Sequence, residues 1–363
     1  MRSSILLAMM AGVFAAGCAV TGDLGRLGFD PTPVEAGTDA SDNDAGTLPP
    51  PIDPGDAGTP DAQPSTKFFL MVTQTPPGDA PINTWGGVAR YDIADDGMNA
   101  VQGQGIDASK VRDPAGLAFR SRSAELFVGN RHGNNAADGT LGSISRFTYD
   151  KNTEKFTPNG QITGNGLARV HQLAFNPKET ELFAANRDGG ISRFTFDKNG
   201  NPVANGVLSA SGWIRGVAVS PSGKRLYATT AGSIIRQFDL ANNGVELATV
   251  SVPDVGANLH FMSVVGDDLY APGTSNNYVY RFKIQNDDSL ALAGTVTADN
   301  PISIALSPSH KELFAAGHIQ SDLIDRFKAS NSAWSATTKI TTGWSLGMIL
   351  VFASDSTPSL QPW

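Results

Sequence analysis

Hydrophobic and polar residues alternate in short stretches along most of this chain. The clearest stretch, Ile-Ser-Arg-Phe at 191–194, has five related copies. The aromatic residues that end the six copies are 56, 47, 44, 44 and 45 residues apart, at Tyr91, Phe147, Phe194, Phe238, Phe282 and Phe327. Alternation with a period of two predicts half-buried β-strands. A repeat step of this size predicts an array of supersecondary units.

Each repeat contains three further apolar segments around this pattern. Two precede it, for example 173–175 and 182–184, and a weaker one follows it, for example 248–252. The turns between them are rich in Asn, Gly and Asp, which tolerate the positive φ that tight hairpins require. Four antiparallel strands per repeat predict an all-β fold, a β-propeller.

The two ends of the repeat array complement each other. The first repeat lacks its opening strand, because its first apolar segment, 69–72, matches the second strand of the other repeats. A spare opening strand occurs at 347–351, where Ile349 follows Ala305 by the usual 44 residues. We therefore predict six four-stranded blades, the first closed by residues 347–353, which leaves no open sheet edge. Seven blades is the alternative, and it would need one further degenerate repeat.

The N-terminus has the features of a secretory signal. Arg2 is followed by an apolar run at 5–16 that is too short to span a bilayer. The run ends in Ala-Ala-Gly-Cys at 15–18, which resembles the lipobox of bacterial lipoproteins. The resemblance implies a signal peptide at 1–17 and an acylated Cys18 that anchors the chain to a membrane. Ala19 after the cysteine implies the outer membrane of a bacterial cell envelope, with the protein periplasmic or surface-exposed.

Residues 18–66 are predicted to form a disordered tether, because Asp, Pro and Gly dominate and nothing there can build a core. The tether holds eight Asp and one Glu against one Arg, so the net charge of −8 belongs to it. Residues 67–363 are predicted to form a single, monomeric propeller domain. Its near neutrality argues against a nucleic-acid partner. Because Cys18 is the only cysteine, an intrachain disulfide and a cysteine nucleophile in the domain are excluded.

Two strings of the repeat resemble those of YVTN-type and lactonase-like bacterial propellers. They are Ser-Pro-Ser-Gly-Lys-Arg-Leu-Tyr-Ala at 220–228 and residues 176–186. The resemblance covers nearly all of 68–353 and implies the propeller fold. That family includes lactone hydrolases and isomerases as well as surface proteins without known chemistry. Many lactonase relatives have seven blades, so a count of six argues against an enzyme. Metal-dependent six-bladed lactonases use inward carboxylates, whereas Glu125, Glu181 and Glu312 are expected in turns before second strands.

Two kinds of loop lie on the same face of a propeller. One kind joins the outer strand of a blade to the inner strand of the next blade, and the other joins the second and third strands within a blade. We call this face the top face. Four of the five histidines map to it, and His310 maps to the opposite face. The predicted ligand-binding residues are Arg131, His132, Arg169, His171, Arg187, Asp188, Trp213, Arg215, His260, Asn300, His318 and Trp344.

An imidazole beside Arg and Asp can bind an anionic or carbonyl ligand and move a proton near neutral pH. If the protein is an enzyme, the catalytic candidates are His171, His260 or His132 as the base. Arg169, Arg187 or Arg215 would then stabilise an oxyanion. Polar residues are also ordinary in loops, so a site without function stays open. We predict no cofactor and no metal site, because no two histidines have a local ligand spacing.

The arginine of the repeated pattern is predicted to be structural, paired between blades or bonded to carbonyls. It recurs in five of six copies, at Arg90, Arg146, Arg193, Arg281 and Arg326, whereas a single ligand site would use an unrepeated residue. Two top-face loops, 75–84 and 133–141, are about nine residues longer than their equivalents. Long loops are often functional and could contact a partner or saccharide.

These observations favour an envelope-anchored lipoprotein whose propeller binds a small-molecule or saccharide ligand, or a protein partner, through the top face without catalysis. The first alternative is a lactonase-like hydrolase that acts on a lactone or ester. The second is a purely structural module of the cell envelope.

Overall fold

Six antiparallel sheets surround a central channel in the computed structural model, which is a six-bladed β-propeller. The structure describes residues 68–75, 86–93, 100–132, 142–210, 212–307, 311–318, 322–330, 333–342 and 345–353. All of them belong to one structural unit, Pro60–Trp363. The predicted propeller is confirmed. The signal peptide, Cys18, the tether, His310, Trp344 and nearly all of the two long loops lie outside the described residues, so what was predicted for them stays untested.

Each blade has an inner, a second, a third and an outer strand, counted from the channel outward. The strands of blade 1 are Ser345–Ala353, Phe68–Thr75, Val88–Ile93 and Ala100–Ile106. Those of blade 2 are Pro114–Arg120, Glu125–Asn130, Ser143–Asp150 and Lys155–Ile162. Those of blade 3 are Val170–Phe175, Glu181–Asn186, Ile191–Phe196 and Pro202–Leu208.

The outer strands of blades 4 and 6 are each divided in two. The strands of blade 4 are Ile214–Val219, Arg225–Thr230, Ile234–Asp239, and Val245–Glu246 with Val250–Ser251. Those of blade 5 are Ser263–Val265, Asp268–Gly273, Tyr278–Ile284 and Leu290–Thr297. Those of blade 6 are Pro301–Leu306, Glu312–Gly317, Leu323–Ser330, and Ala333–Ala336 with Ile340–Thr341.

Short 3₁₀ helices are the only helices in the described part of the chain, at Ala108–Lys110, Ser121–Ser123 and Leu240–Asn242. None of them is long or apolar enough to cross a membrane.

The two ends of the domain close the ring in blade 1. The C-terminal strand pairs antiparallel with the first strand of the domain, with Leu350 opposite Met71. Inner strands of neighbouring blades contact one another around the whole channel. The predicted closure is thereby confirmed. The predicted outer strand of blade 4, 248–252, is shorter than expected and covers only Val250–Ser251. Just before it, the Gln237 side-chain amide donates to the Ala248 carbonyl at 2.8 Å, a bond outside the regular pairing of the strands.

Aromatic side chains pack neighbouring blades together. Phe127 of blade 2 is fully buried and meets Phe175 and Phe196 of blade 3 edge to face, with ring centroids 5.3 and 5.9 Å apart. T-shaped aromatic pairs at this distance are favourable. Phe194, which ends the clearest copy of the repeated pattern, is also buried. The aromatic residues of the repeat thus belong to the core between blades.

The repeated arginines form ion pairs within their own blades. Arg146 lies 2.7 Å from the carboxylate of Glu125, and equivalent pairs join Arg193 to Glu181 and Arg326 to Glu312. These glutamates begin the second strands rather than lying in the turns before them, which corrects the sequence-based placement. Arginines also reach the next blade.

Two backbone contacts join blades through the same arginines. Arg90 donates to the Glu154 carbonyl at 2.7 Å, and Arg146 donates to the Gly200 carbonyl at 3.3 Å. Both acceptors lie in the turn between the third and outer strands of the following blade. The arginines therefore have structural contacts that account for their repetition.

Candidate functional site

A β-bulge or a break in pairing interrupts every inner strand near the top face. In blade 4, for example, Ile214 and Gly216 pair with consecutive residues of the second strand, so Arg215 is the extra residue. A bulge re-aims the side chain of its extra residue. The residues at this position in the six blades are Gly347, Ala115, His171, Arg215, His260 and Ile302. We call them the mouth ring.

The mouth ring is polar on one side and apolar on the other. His171, Arg215 and His260 come from the consecutive blades 3, 4 and 5, at steps of 44 and 45 residues. The remaining three blades contribute Gly, Ala and Ile. The repeat therefore carries two imidazoles and one guanidinium to neighbouring positions around the upper end of the channel.

A buried amide crosses the channel directly beneath the polar side of the ring. The Gln172 Oε1 accepts the N–H groups of Val217 and Met262, both at 2.9 Å, and its Nε2 donates to the Met262 carbonyl at 2.5 Å. Gly216 permits this approach, since a Cβ there would lie 2.8 Å from Oε1. Farther down, mainly apolar side chains line a cavity of about 210 Å³. Polar chemistry is thus concentrated at the top of the channel.

Two buried asparagines anchor the loops that carry the remaining site residues. Asn130 ends the second strand of blade 2 and accepts the Arg112 N–H through its Oδ1 at 2.9 Å. Asn186 ends the second strand of blade 3 and accepts the Ala168 N–H at 3.0 Å. Each asparagine therefore ties the loop that follows its strand to the loop that precedes the inner strand of the same blade.

The residue after each asparagine is an arginine, but the two arginines have different surroundings. Arg131 and Arg187 donate their N–H groups to the carbonyls of Asp113 and Arg169, both of which have a positive φ. The Asp113 carboxylate also accepts a hydrogen bond from the Arg131 guanidinium. In blade 3, Asp188 pairs with Arg169 at 3.4 Å. Within the described residues, Arg187 has no carboxylate partner.

Two guanidinium groups at the channel mouth have no carboxylate partner among the described residues: Arg215 of the mouth ring and Arg187 beside it. Arg187 lies 4.4 Å from the ring centroid of the half-exposed Trp213. Arg215 donates to Asn258 at 2.6 Å and to Nε2 of His260, and it too has no carboxylate partner in the described part of the chain. Burial and then the charge of Arg187 lower the pKa of Arg215 to about 10. Such a pair of guanidinium groups favours a carboxylate or phosphate ligand.

His171 is buried beside these charges without a hydrogen bond. Neither of its ring nitrogens has a partner among the described residues, and its ring meets Phe261 edge to face. Burial, followed by the charges of Arg131, Arg187 and Arg215, lowers the pKa of His171 to about 3. The imidazole is therefore neutral at pH 7. Buried polar groups without partners are rare, which makes His171 a candidate for ligand contact.

His260 and His318 complete the polar side, with ring centroids 5.3 Å apart. Because the Arg215 guanidinium donates to Nε2 of His260, this nitrogen is an acceptor and the proton lies on Nδ1. Burial and then the Arg215 charge lower the pKa of both histidines. No group of three or more His, Cys, Asp or Glu side chains in the described ranges could hold a metal ion.

A histidine and an aspartate meet on the rim of this cluster. The Nδ1 of His132 lies 3.1 Å from the Asp113 carboxylate, and the His132 side chain is 47% exposed. Burial alone would raise the pKa of Asp113. The hydrogen bond from His132 and the charge of Arg131 outweigh burial and hold this pKa below its ordinary value. Asp113 is thus an ionised carboxylate.

The structure brings together half of the predicted ligand-binding residues at the mouth of the channel: Arg131, His171, Arg187, Arg215, His260 and His318. His132 lies on the rim, Trp213 covers Arg187, and Asp188 neutralises Arg169. Asn300 contributes its backbone, whose carbonyl accepts the His318 N–H at 2.8 Å. Gln172, Asn258 and Phe261 were not predicted. Asn258 could have been found from the repeat, because it lies two residues before His260 just as Arg169 lies two residues before His171. Both residues have a positive φ.

No protein-family model matches this chain, and no curated protein matches its sequence. Solved structures do match. A Bacteroides fragilis protein provisionally named a 6-phosphogluconolactonase has 20% identity and a TM-score of 0.56, over 80% of this chain and 85% of its own. A periplasmic gluconolactonase of Pseudomonas aeruginosa has 16% identity and a TM-score of 0.57, over 77% and 84%. A chain of a nidogen–laminin complex has 13% identity and a TM-score of 0.55, over 78% and 98%.

At these identities the likeness shows the fold alone. The same propeller occurs in proteins named as lactonases and in a protein–protein complex, so the fold by itself leaves the activity open. In fold, the chain is a six-bladed β-propeller.

Proposed function

We propose that this protein hydrolyses a lactone or related ester that carries an anionic group, at the mouth of the channel. The observation that carries the proposal is the pair Arg187 and Arg215, which have no carboxylate partner among the described residues. Arg215 bonds His260, and His260 shares the Phe261 ring with the unpartnered, neutral His171. The structural neighbours named as lactonases support this function over the non-catalytic binding that the sequence first favoured.

The mouth supplies the groups that such a reaction needs. Arg187 and Arg215 would hold a carboxylate or phosphate of the substrate and stabilise the oxyanion that forms when water attacks the carbonyl carbon. Neutral His171 would hydrogen-bond to the substrate, as a neutral imidazole can donate from one nitrogen and accept at the other. The apolar channel beneath limits the polar contacts to the top.

A pH-stat assay tests the proposal with 6-phosphoglucono-δ-lactone, glucono-δ-lactone and δ-valerolactone. We expect turnover with a preference for the phosphorylated lactone, and a loss of about 10²-fold or more in kcat/KM for Arg215→Gln. Arg122→Gln is the matched control, because Arg122 is half exposed in the turn between the inner and second strands of blade 2, away from the top face.

Absence of turnover with all three lactones would overturn the proposed hydrolysis. If 6-phosphogluconate still bound, and Arg215→Gln weakened its binding, the result would support the non-catalytic alternative at the same site.

A further inference from the structure

Blades 2 and 3 carry nearly the same loop after their second strands. It reads Asn-Arg-His-Gly at 130–133 and Asn-Arg-Asp-Gly at 186–189. In blade 3, Asp188 pairs with Arg169 of the preceding loop at 3.4 Å. At the equivalent positions of blade 2, His132 meets Asp113 at 3.1 Å. The contact between the loops is conserved within the repeat, but in blade 2 the cationic partner is an imidazole, which can gain and lose a proton.

Asp113 fixes the state of this imidazole. Its carboxylate accepts from Nδ1 of His132, so the lone pair of the neutral ring lies on Nε2. The Arg131 guanidinium holds the other oxygen of the carboxylate, and the backbone of Asp113 is constrained at a positive φ of 50°. An ionised carboxylate at Nδ1 also stabilises the imidazolium that forms when Nε2 takes up a proton.

The buried histidines are poor proton acceptors by comparison. His171 and His260 are both buried, and the charge of Arg215 opposes a proton on either ring. His132 instead reaches solvent and faces a carboxylate. Its partner Asp113 lies two residues before Ala115 of the mouth ring, and the adjacent Gly116 packs against the backbone of His171, so the pair lies on the rim of the same site.

We propose that His132, oriented by Asp113, accepts the proton of the attacking water; this rests on the proposed hydrolysis. The water proton moves to Nε2 while the water oxygen bonds to the lactone carbonyl carbon. The ring C–O bond then breaks, and the proton on Nε2 moves to the ring oxygen. The product is the open hydroxy acid, and the imidazole returns to its neutral state without any further reactant.

The test measures kcat and KM against pH with 6-phosphoglucono-δ-lactone. For the wild type we expect kcat/KM to rise with pH, as in reactions that need a general base in its unprotonated form. In His132→Gln, kcat/KM should no longer increase with pH. Its kcat should fall by about 10²- to 10⁴-fold with little change in KM. Asp113→Asn should also lower kcat. His132→Arg is the structural control, because arginine can form an ion pair with Asp113 but supplies no base. Its Tm should equal that of the wild type, while its kcat/KM should no longer increase with pH.

Two results would overturn the proposal, and they are distinguishable. If His132→Gln or His132→Arg keeps both kcat and the rise with pH, His132 is not the proton acceptor, whereas the hydrolysis stands. If the wild type turns over none of the lactones, both proposals fall.

Discussion

Gln172→Leu should destabilise the propeller strongly, because its amide joins the inner strands of three blades. The side chain is 2% exposed and makes three hydrogen bonds, to the N–H groups of Val217 and Met262 and to the Met262 carbonyl. Leucine has a similar volume but leaves all three backbone groups buried without a partner. At about 1–3 kcal/mol for each unsatisfied group, reduced by any water that enters the channel, the expected loss is about 3–6 kcal/mol.

Urea denaturation followed by tryptophan fluorescence measures this loss as a lower midpoint with an unchanged slope. Gln285→Leu is the matched control, since Gln285 is exposed and its amide bonds the Lys283 carbonyl at 3.3 Å. It should change the free energy of unfolding by less than about 0.5 kcal/mol. A loss below about 1 kcal/mol for Gln172→Leu would refute the reasoning, because the backbone groups would then be satisfied by water.

The other predictions concern buried charge. Lowering the pH from 7 to 5 should destabilise the fold by about 2 kcal/mol through His171, since an unfolded histidine takes up a proton near pH 6.5 while the folded pKa is about 3. His260, whose pKa burial also lowers, should add to the loss in the same direction. His171→Gln should weaken this dependence of the free energy of unfolding on pH in urea melts, and an unchanged pH dependence would contradict it. Glu312→Ala should cost about 3–5 kcal/mol, because buried Arg326 loses its partner. Asp188→Ala removes a partner from an exposed ion pair and should lower the free energy of unfolding by less than about 1 kcal/mol. Equal losses for Glu312→Ala and Asp188→Ala would show that burial of the ion pair does not determine its contribution to stability.

The fold was predictable because its information is repeated. The 44-residue step from Ala305 to Ile349 identifies the C-terminal segment as the missing inner strand of blade 1. The register differs from that step by one residue, because Leu350 lies opposite Met71 as Ala305 lies opposite Phe314. The outer strands were harder to predict. They pair on one side only and are largely exposed, so their hydrophobic pattern is weak, and two of them are divided.

The site was predictable in part. Loop position placed the histidines and arginines on one face, and the steps of 44 and 45 residues already aligned His171, Arg215 and His260. Composition does not show which arginine lacks a carboxylate partner. Before the inner strands, the equivalent position is Asp113 in blade 2 and Arg169 in blade 3, so the two blades carry opposite charges there. This exchange of charge pairs Arg131 with Asp113 and leaves Arg187 without a carboxylate partner in the described part of the chain, which is apparent only once the loops are seen in contact.

If the proposal is right, the guanidinium pair Arg187 and Arg215 at the channel mouth holds an anionic ligand. Isothermal titration of 6-phosphogluconate into the wild type and into the Arg187→Gln, Arg215→Gln double variant tests it most directly. We expect binding to the wild type and to Arg122→Gln, and a loss of at least about 100-fold in affinity for the double variant. Equal affinity of the double variant and the wild type would contradict it.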